Sequence, residues 1–175
     1  MRRQLVTAAL LALTFTGAAF AQSPPATVSA TIGGKAIKVQ YSAPSVRGRK
    51  IFGDGGLLSR DPTYPAWRVG ANAATTFRTD AALDVGGLEV PAGVYTLYAW
   101  VKNPDQWDLI VSREKGQWGL TYNPNADLGR VKMTMSRPAA LVETLKYTLT
   151  DKGGGAGELR IEWEQHVATV SIHVK

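Results

Sequence analysis

Residues 65–75, PAWRVGANAAT, bring an indole, a guanidinium, a glycine and a carboxamide into the six positions from Trp67 to Asn72. A guanidinium is a planar fork of donors that fits carboxylate and phosphate oxygens. In an extended segment Arg68 points away from the side that Trp67 faces. Two arrangements follow. In a stapled corner, Trp67 fills the core, Gly70 bends the chain and Asn72 closes the bend through backbone groups. In a binding rim, Trp67 is an apolar platform and Arg68 and Asn72 orient a polar ligand.

Residues 115–130, KGQWGLTYNPNADLGR, carry similar chemistry. Trp118 and Tyr122 stand among glycines, followed by Asn123, Asn125, Asp127 and Arg130. Aromatic faces beside amides suit a sugar or a peptide. The alternative is that both rings close one end of the fold, as large aromatics usually do, and that Asp127 pairs with Arg130. A third stretch, PSVRGRKIFG at 44–53, sets Arg47 and Arg49 on a glycine-containing loop. Arg49 reads as an anion fork, or as a partner for Asp54, Asp61 or another surface carboxylate.

Catalytic patterns are weaker. Glu162 and Glu164 share a strand face, about 7 Å apart along the backbone, a spacing used by glycosidase carboxyl pairs. Their face is the polar one, opposite Ile161 and Trp163, where neither acquires the raised pKa of a general acid. His166 and His173 are seven positions apart and face opposite sides of one continuous strand. They read as a turn histidine and a solvated one. GGGAG at 153–157 lacks the lysine and helix of a phosphate loop, and neither H-E-x-x-H nor G-x-S-x-G occurs. The chain has no cysteine, which excludes thiolate nucleophiles and thiolate metal sites. No cofactor or metal is expected.

The elements that position these residues are strands. Ile37, Val39 and Tyr41 alternate with polar neighbours, as do Trp107, Leu109 and Val111, then Val131, Met133 and Met135, then Leu159, Ile161 and Trp163, then Val170, Ile172 and Val174. This period of two marks strands with one buried face. GVYTLYAWV at 93–101 is apolar on both faces and predicts a central strand. LVETLKYTLT at 141–150 predicts a strand from its threonines and Tyr147 rather than a helix opened by Pro138. Turns are predicted at Gly33, at Gly86, at 103–106 and at 151–157. The stretches 42–65 and 116–129 read as long loops, where function tends to gather. The expected fold is all-β, an antiparallel β-sandwich of about ten short strands with little helix.

The first 21 residues read as a cleavable export signal. Arg2 and Arg3 precede an uncharged apolar run, and Ala19-Phe20-Ala21 fits the cleavage rule. One domain, 22–175, would follow, periplasmic or secreted, with no stable membrane span. Losing Arg2 and Arg3 takes the formal charge from +6 to +4. That mild basic balance suits an anionic envelope surface, and nucleic acid is not an expected partner of an exported chain.

The stretches IKVQYSAPSVRGRKIFG, WRVGANAATTF, VPAGVYTLYAW, QWDLIVSREKGQWGLTYN and DLGRVKM, in this order, resemble the domain of unknown function 2911, a family of exported bacterial β-proteins. The resemblance spans most of the chain after the signal and implies an exported β-sandwich-like domain, but no activity. Two departures stand out: Ala73 occupies a position where the family pattern is acidic, and LLSRDPTYP makes a longer approach to Trp67.

The leading expectation is a non-catalytic domain that binds a small polar or anionic envelope ligand, a glycan or a peptide. Its expected contacts are Arg49, Trp67, Arg68, Asn72, Trp118 and Tyr122. The alternatives are a hydrolase with a carboxylate pair drawn from Asp54, Asp61, Asp127, Glu162 and Glu164, and an interaction module that offers a sheet edge to a partner strand.

Overall fold

The computed structural model describes residues 22–175. The expected export signal lies outside the described residues. The strands in chain order are β1 (Pro25–Ile32), β2 (Lys35–Ser42), β3 (Ala66–Trp67), β4 (Thr75–Thr79), β5 (Leu83–Val85), β6 (Leu88–Val90) and β7 (Gly93–Asn103). Then come β8 (Gln106–Ser112), β9 (Asp127–Lys132), β10 (Thr134–Ser136), β11 (Val142–Gly153), β12 (Ala156–Glu164) and β13 (His166–Val174). The helical elements among the described residues are two three-residue 3₁₀ turns, Leu58–Arg60 and Pro124–Ala126.

Two antiparallel sheets make the expected sandwich. The first runs β1-β2-β4-β7-β8-β9, with β3 also paired to β7; the second runs β11-β12-β13-β5-β6, with β10 paired to β13. Alternation dictates which residues meet between them. Val39, Phe77, Leu97, Leu109 and Val111 turn inward from the first sheet, and Leu145, Leu149, Leu159, Ile161 and Val170 from the second. Without a disulfide, this dry layer supplies the stability, at about 25 cal/mol for each Å² of apolar surface withdrawn from water.

The run at 93–101 is central, as expected, and its second covering is not a sheet. Thr96 and Tyr98 lie on the outer face of β7 and are fully buried. Irregular chain from 113 to 126 lies over them: Thr96 Oγ1 donates to Glu114 O at 2.8 Å and Tyr98 Oη donates to Thr121 O at 2.7 Å. The stretch at 141–150 is the strand β11, with Leu145, Tyr147 and Leu149 inward. Gly33-Gly34 and Gly86-Gly87 make the β1–β2 and β5–β6 turns with positive φ, the conformation for which glycine is suited.

Candidate functional site

The corner is built first. β3 lays Trp67 opposite Ala99 on β7. The indole is 2% exposed, stacks on Trp163 at 5.4 Å and meets Phe52 and Trp107 edge-on. Its Nε1 donates to Gly70 O at 3.3 Å. Val69 and Asn72 take left-handed φ of 47° and 59°, and Asn72 Nδ2 donates to Ser23 O at 3.3 Å. The chain therefore adopts the stapled corner. Trp67 is not a ligand platform here, because other aromatics cover its ring, and the Asn72 amide nitrogen is turned to the chain itself.

Arg68 emerges on the opposite side and runs beneath the 113–126 segment. Its Nη1 donates to Asp61 Oδ2 at 3.2 Å, with side chains 14% and 23% exposed. Burial pushes the Asp61 carboxyl up, against the pull of Arg68, and burial likewise pushes Arg68 down against the pull of Asp61. Desolvation outweighs attraction for both partners. Among the described residues Arg68 Nε has no hydrogen-bond partner, and neither do Glu114 Oε2, Gln117 Oε1 and Asp127 Oδ1 nearby in the covering segment and β9.

Tyr122 belongs to the same covering. Its ring meets Tyr98 edge-on at 4.9 Å, its hydroxyl donates to Asp127 Oδ2 at 2.7 Å, and Arg130 Nη2 donates to that hydroxyl at 2.7 Å. Burial, then the Asp127 hydrogen bond, pushes the phenol up to about 12. Arg130 pairs with Asp127 at 3.2 Å and lies over Trp100 at 4.7 Å. Tyr122 thus helps fasten the covering segment to the outer face of β7, while Arg68 beneath it is tied to Asp61. Trp118, on the same segment, is 57% exposed.

Arg49 lies elsewhere, on a groove of about 480 Å³. Four stretches converge there: the 46–52 loop, the β7–β8 turn at Pro104, the 137–141 link, and the β12–β13 turn. Arg49 Nε and Nη2 donate to Val46 O at 2.9 Å and Ser45 O at 2.6 Å. Lys50 Nζ donates to Asp54 O at 2.8 Å. Neither cation has a carboxylate partner among the described residues. Arg137 faces the same groove and is paired with Asp105. Phe52 and Leu141 supply apolar wall.

His166 closes the groove with a side chain 6% exposed. Its ring is stacked on Trp107 at 5.8 Å and packs on Phe52 at 4.6 Å. Glu164, at φ 56°, turns its carboxylate back into the fold. One oxygen accepts from Ile51 N at 3.1 Å and the other lies 3.2 Å from His166 Nδ1. The expectation of a solvated Glu164 on a polar face is corrected by this turn, because the left-handed residue breaks strand parity. The turn position expected for His166 is corrected too: it opens β13 and is buried. His173 is exposed.

Of the five carboxylates considered for hydrolysis, Glu164 alone lines this groove. Asp61, Asp127 and Glu162 each pair with a separate arginine. The residues that sequence reasoning passed over here are Lys50, Arg137 and His166. The available signal was the EQH at 164–166, three consecutive polar residues that interrupt an otherwise regular alternation.

A family model described as "Protein of unknown function (DUF2911)" matches residues 23–172. No curated protein and no solved structure matches the chain.

Proposed function

The chain belongs to the DUF2911 family, and from that premise we propose that it is an exported, non-catalytic domain that binds a small anionic envelope ligand, an acidic peptide or glycan fragment, in the Arg49–His166 groove. The observation that carries this reading is the hydrogen bonding of Arg49 and Lys50. Both cations are held in place by main-chain carbonyls, and neither is neutralised by a carboxylate among the described residues. A fixed guanidinium beside an ammonium offers charge-assisted donors without having to leave another anion first. The one carboxylate lining the groove, Glu164, is turned toward Ile51 N and His166. The groove's volume falls within the roughly 300–1,000 Å³ of small-ligand sites, and Phe52 and Leu141 favour a ligand with an apolar portion.

A thermal-shift screen of envelope peptides and glycans tests this proposal. An acidic fragment should raise the melting temperature of the wild type, and Arg49→Ala should abolish that shift. If no acidic fragment shifts the transition, or if the shift persists undiminished in Arg49→Ala, the reading fails. Export has its own check. The chain recovered from a bacterial periplasm or medium should begin at Gln22; a full-length chain confined to the cytoplasm contradicts it.

A further inference from the structure

The outer face of the first sheet holds a second, smaller groove of about 240 Å³, lined by Gln40, Tyr41, Ser42, Ala73, Ala74 and Thr76. It shares no residue with the Arg49–His166 groove, and no side chain lining it is charged. Gln40 sits directly opposite Thr76 across the β2–β4 pair. The Gln40 carboxamide, the Ser42 hydroxyl and the Thr76 hydroxyl make no hydrogen bond to any described residue. Tyr41 is turned inward, its hydroxyl accepting from Tyr147 N at 3.3 Å.

Trp118 stands beside this groove. It forms an isolated antiparallel bridge with Ala73, and residues opposed in such a bridge project their side chains to the same side. The indole therefore rises on the side of Ala73 Cβ. The backbone beneath it is clamped. Ala74 N donates to Gln117 O at 3.3 Å, and Gly119 N donates to Asn72 O at 3.1 Å. The neighbouring Gln117 amide donates to Tyr98 Oη at 3.0 Å and Thr96 Oγ1 at 3.2 Å. A firmly mounted tryptophan left 57% exposed forgoes burial that elsewhere in this chain encloses Trp67, Trp107 and Trp163 completely.

We propose that Trp118, with Gln40, Ser42 and Thr76, forms a binding site for a neutral sugar ring. A pyranose has an apolar C–H face that rests on the electron-rich face of an indole, and a rim of hydroxyls that both donate and accept. An amide and two hydroxyls supply both roles. The absence of charge from the groove lining selects a neutral glycan over an acidic one, so the two grooves take different chemistry. The clamped mounting limits the ordering entropy lost on binding.

Saturation-transfer NMR and calorimetry on the purified chain with maltohexaose, cellohexaose and chitohexaose, each up to about 10 mM, test the assignment. At least one of the three should bind saturably. Trp118→Ala should weaken that binding at least about fivefold, Trp118→Phe should restore part of it, and Arg49→Ala should leave it unchanged. Because the indole is exposed, Trp118→Ala should keep the wild-type melting transition. The proposal is overturned if none of the three binds, if Trp118→Ala costs less than fivefold, or if Arg49→Ala removes the same binding. Loss of acidic-ligand binding in Arg49→Ala bears only on the other groove.

Discussion

His166 holds Nδ1 3.2 Å from Glu164 Oε2 while Nε2 faces Arg137 Nη1 at 3.4 Å. Arginine only donates, so Nε2 is the accepting nitrogen and Nδ1 carries the proton toward the carboxylate. The Nδ1 contact is close but out of line for a full hydrogen bond. Burial between Phe52 and Trp107, then the Arg137 charge, pushes the imidazole below its ordinary 6.5; Glu164 and Asp105 pull the other way and lose. A neutral, buried imidazole therefore forms one wall of a cationic groove.

This arrangement makes stability depend on pH with a definite sign. The unfolded chain takes up the His166 proton near 6.5, before the folded chain does, so acidification favours unfolding. Urea titrations between pH 8 and 5 should show stability falling once the pH drops through 6.5. The slope contributed by one proton is at most about 1.4 kcal/mol per pH unit. His166→Gln should flatten that portion of the curve. Parallel curves for wild type and variant would contradict it.

Asp61 and Arg68 should behave as a coupled, partly buried pair. Asp61→Asn leaves a buried guanidinium without its counter-ion, and Arg68→Met leaves a buried carboxylate. Each single change should cost about 1–3 kcal/mol, less than a fully buried pair because both groups retain some solvent. The double variant should cost less than the sum by at least about 1 kcal/mol. Additive losses would show that the contact contributes nothing.

Gly119 should be irreplaceable on steric grounds. A Cβ there would lie 2.0 Å from Arg68 Cδ and 2.5 Å from the Asn72 carbonyl oxygen. Side chain could yield, but the carbonyl is backbone. Gly119→Ala should cost about 1–3 kcal/mol by overpacking and should loosen residues 113–126, detectable as faster amide exchange at Thr121. Unchanged stability and exchange would refute the close approach.

Asn72 tests the corner. Its left-handed φ of 59° costs an alanine roughly 1–2 kcal/mol, and the Ser23 contact is lost as well. Asn72→Gly should recover most of the backbone portion in equilibrium unfolding. If glycine destabilises as much as alanine, the corner's conformation is not what Asn72 provides.

Much of the architecture was legible because alternation reports a half-wet strand directly: Ile37–Val39–Tyr41 and Leu159–Ile161–Trp163 both lie where their pattern puts them. The run expected at 131–136 breaks at Met133 into β9 and β10 of different sheets, and the strands no pattern marked, β3, β5 and β6, span two or three residues, too few for any period. They exist because a neighbour supplies their hydrogen bonds. Trp67 and Trp118 show the same limit at the site. Both are indoles near glycines and amides in sequence, yet Trp67 is enclosed by Trp163, Phe52 and Trp107, which only the closed sandwich brings near. Arg49 was visible as a fork. His166 was not visible as its neighbour, because a left-handed Glu164 reversed the parity that the strand pattern implied, and Arg137 was not, because it follows β10, whose pairing with β13 no pattern announced.

Isothermal calorimetry of the chain with the acidic tripeptide N-acetyl-Glu-Leu-Glu, set against its glutamine analogue, tests the cationic groove most directly. The account predicts saturable binding of the acidic peptide that weakens as salt is raised, at least about tenfold weaker binding of the analogue, and a similar loss in Arg49→Ala. Equal affinity for both peptides, no binding of either, or an undiminished affinity in Arg49→Ala would contradict it.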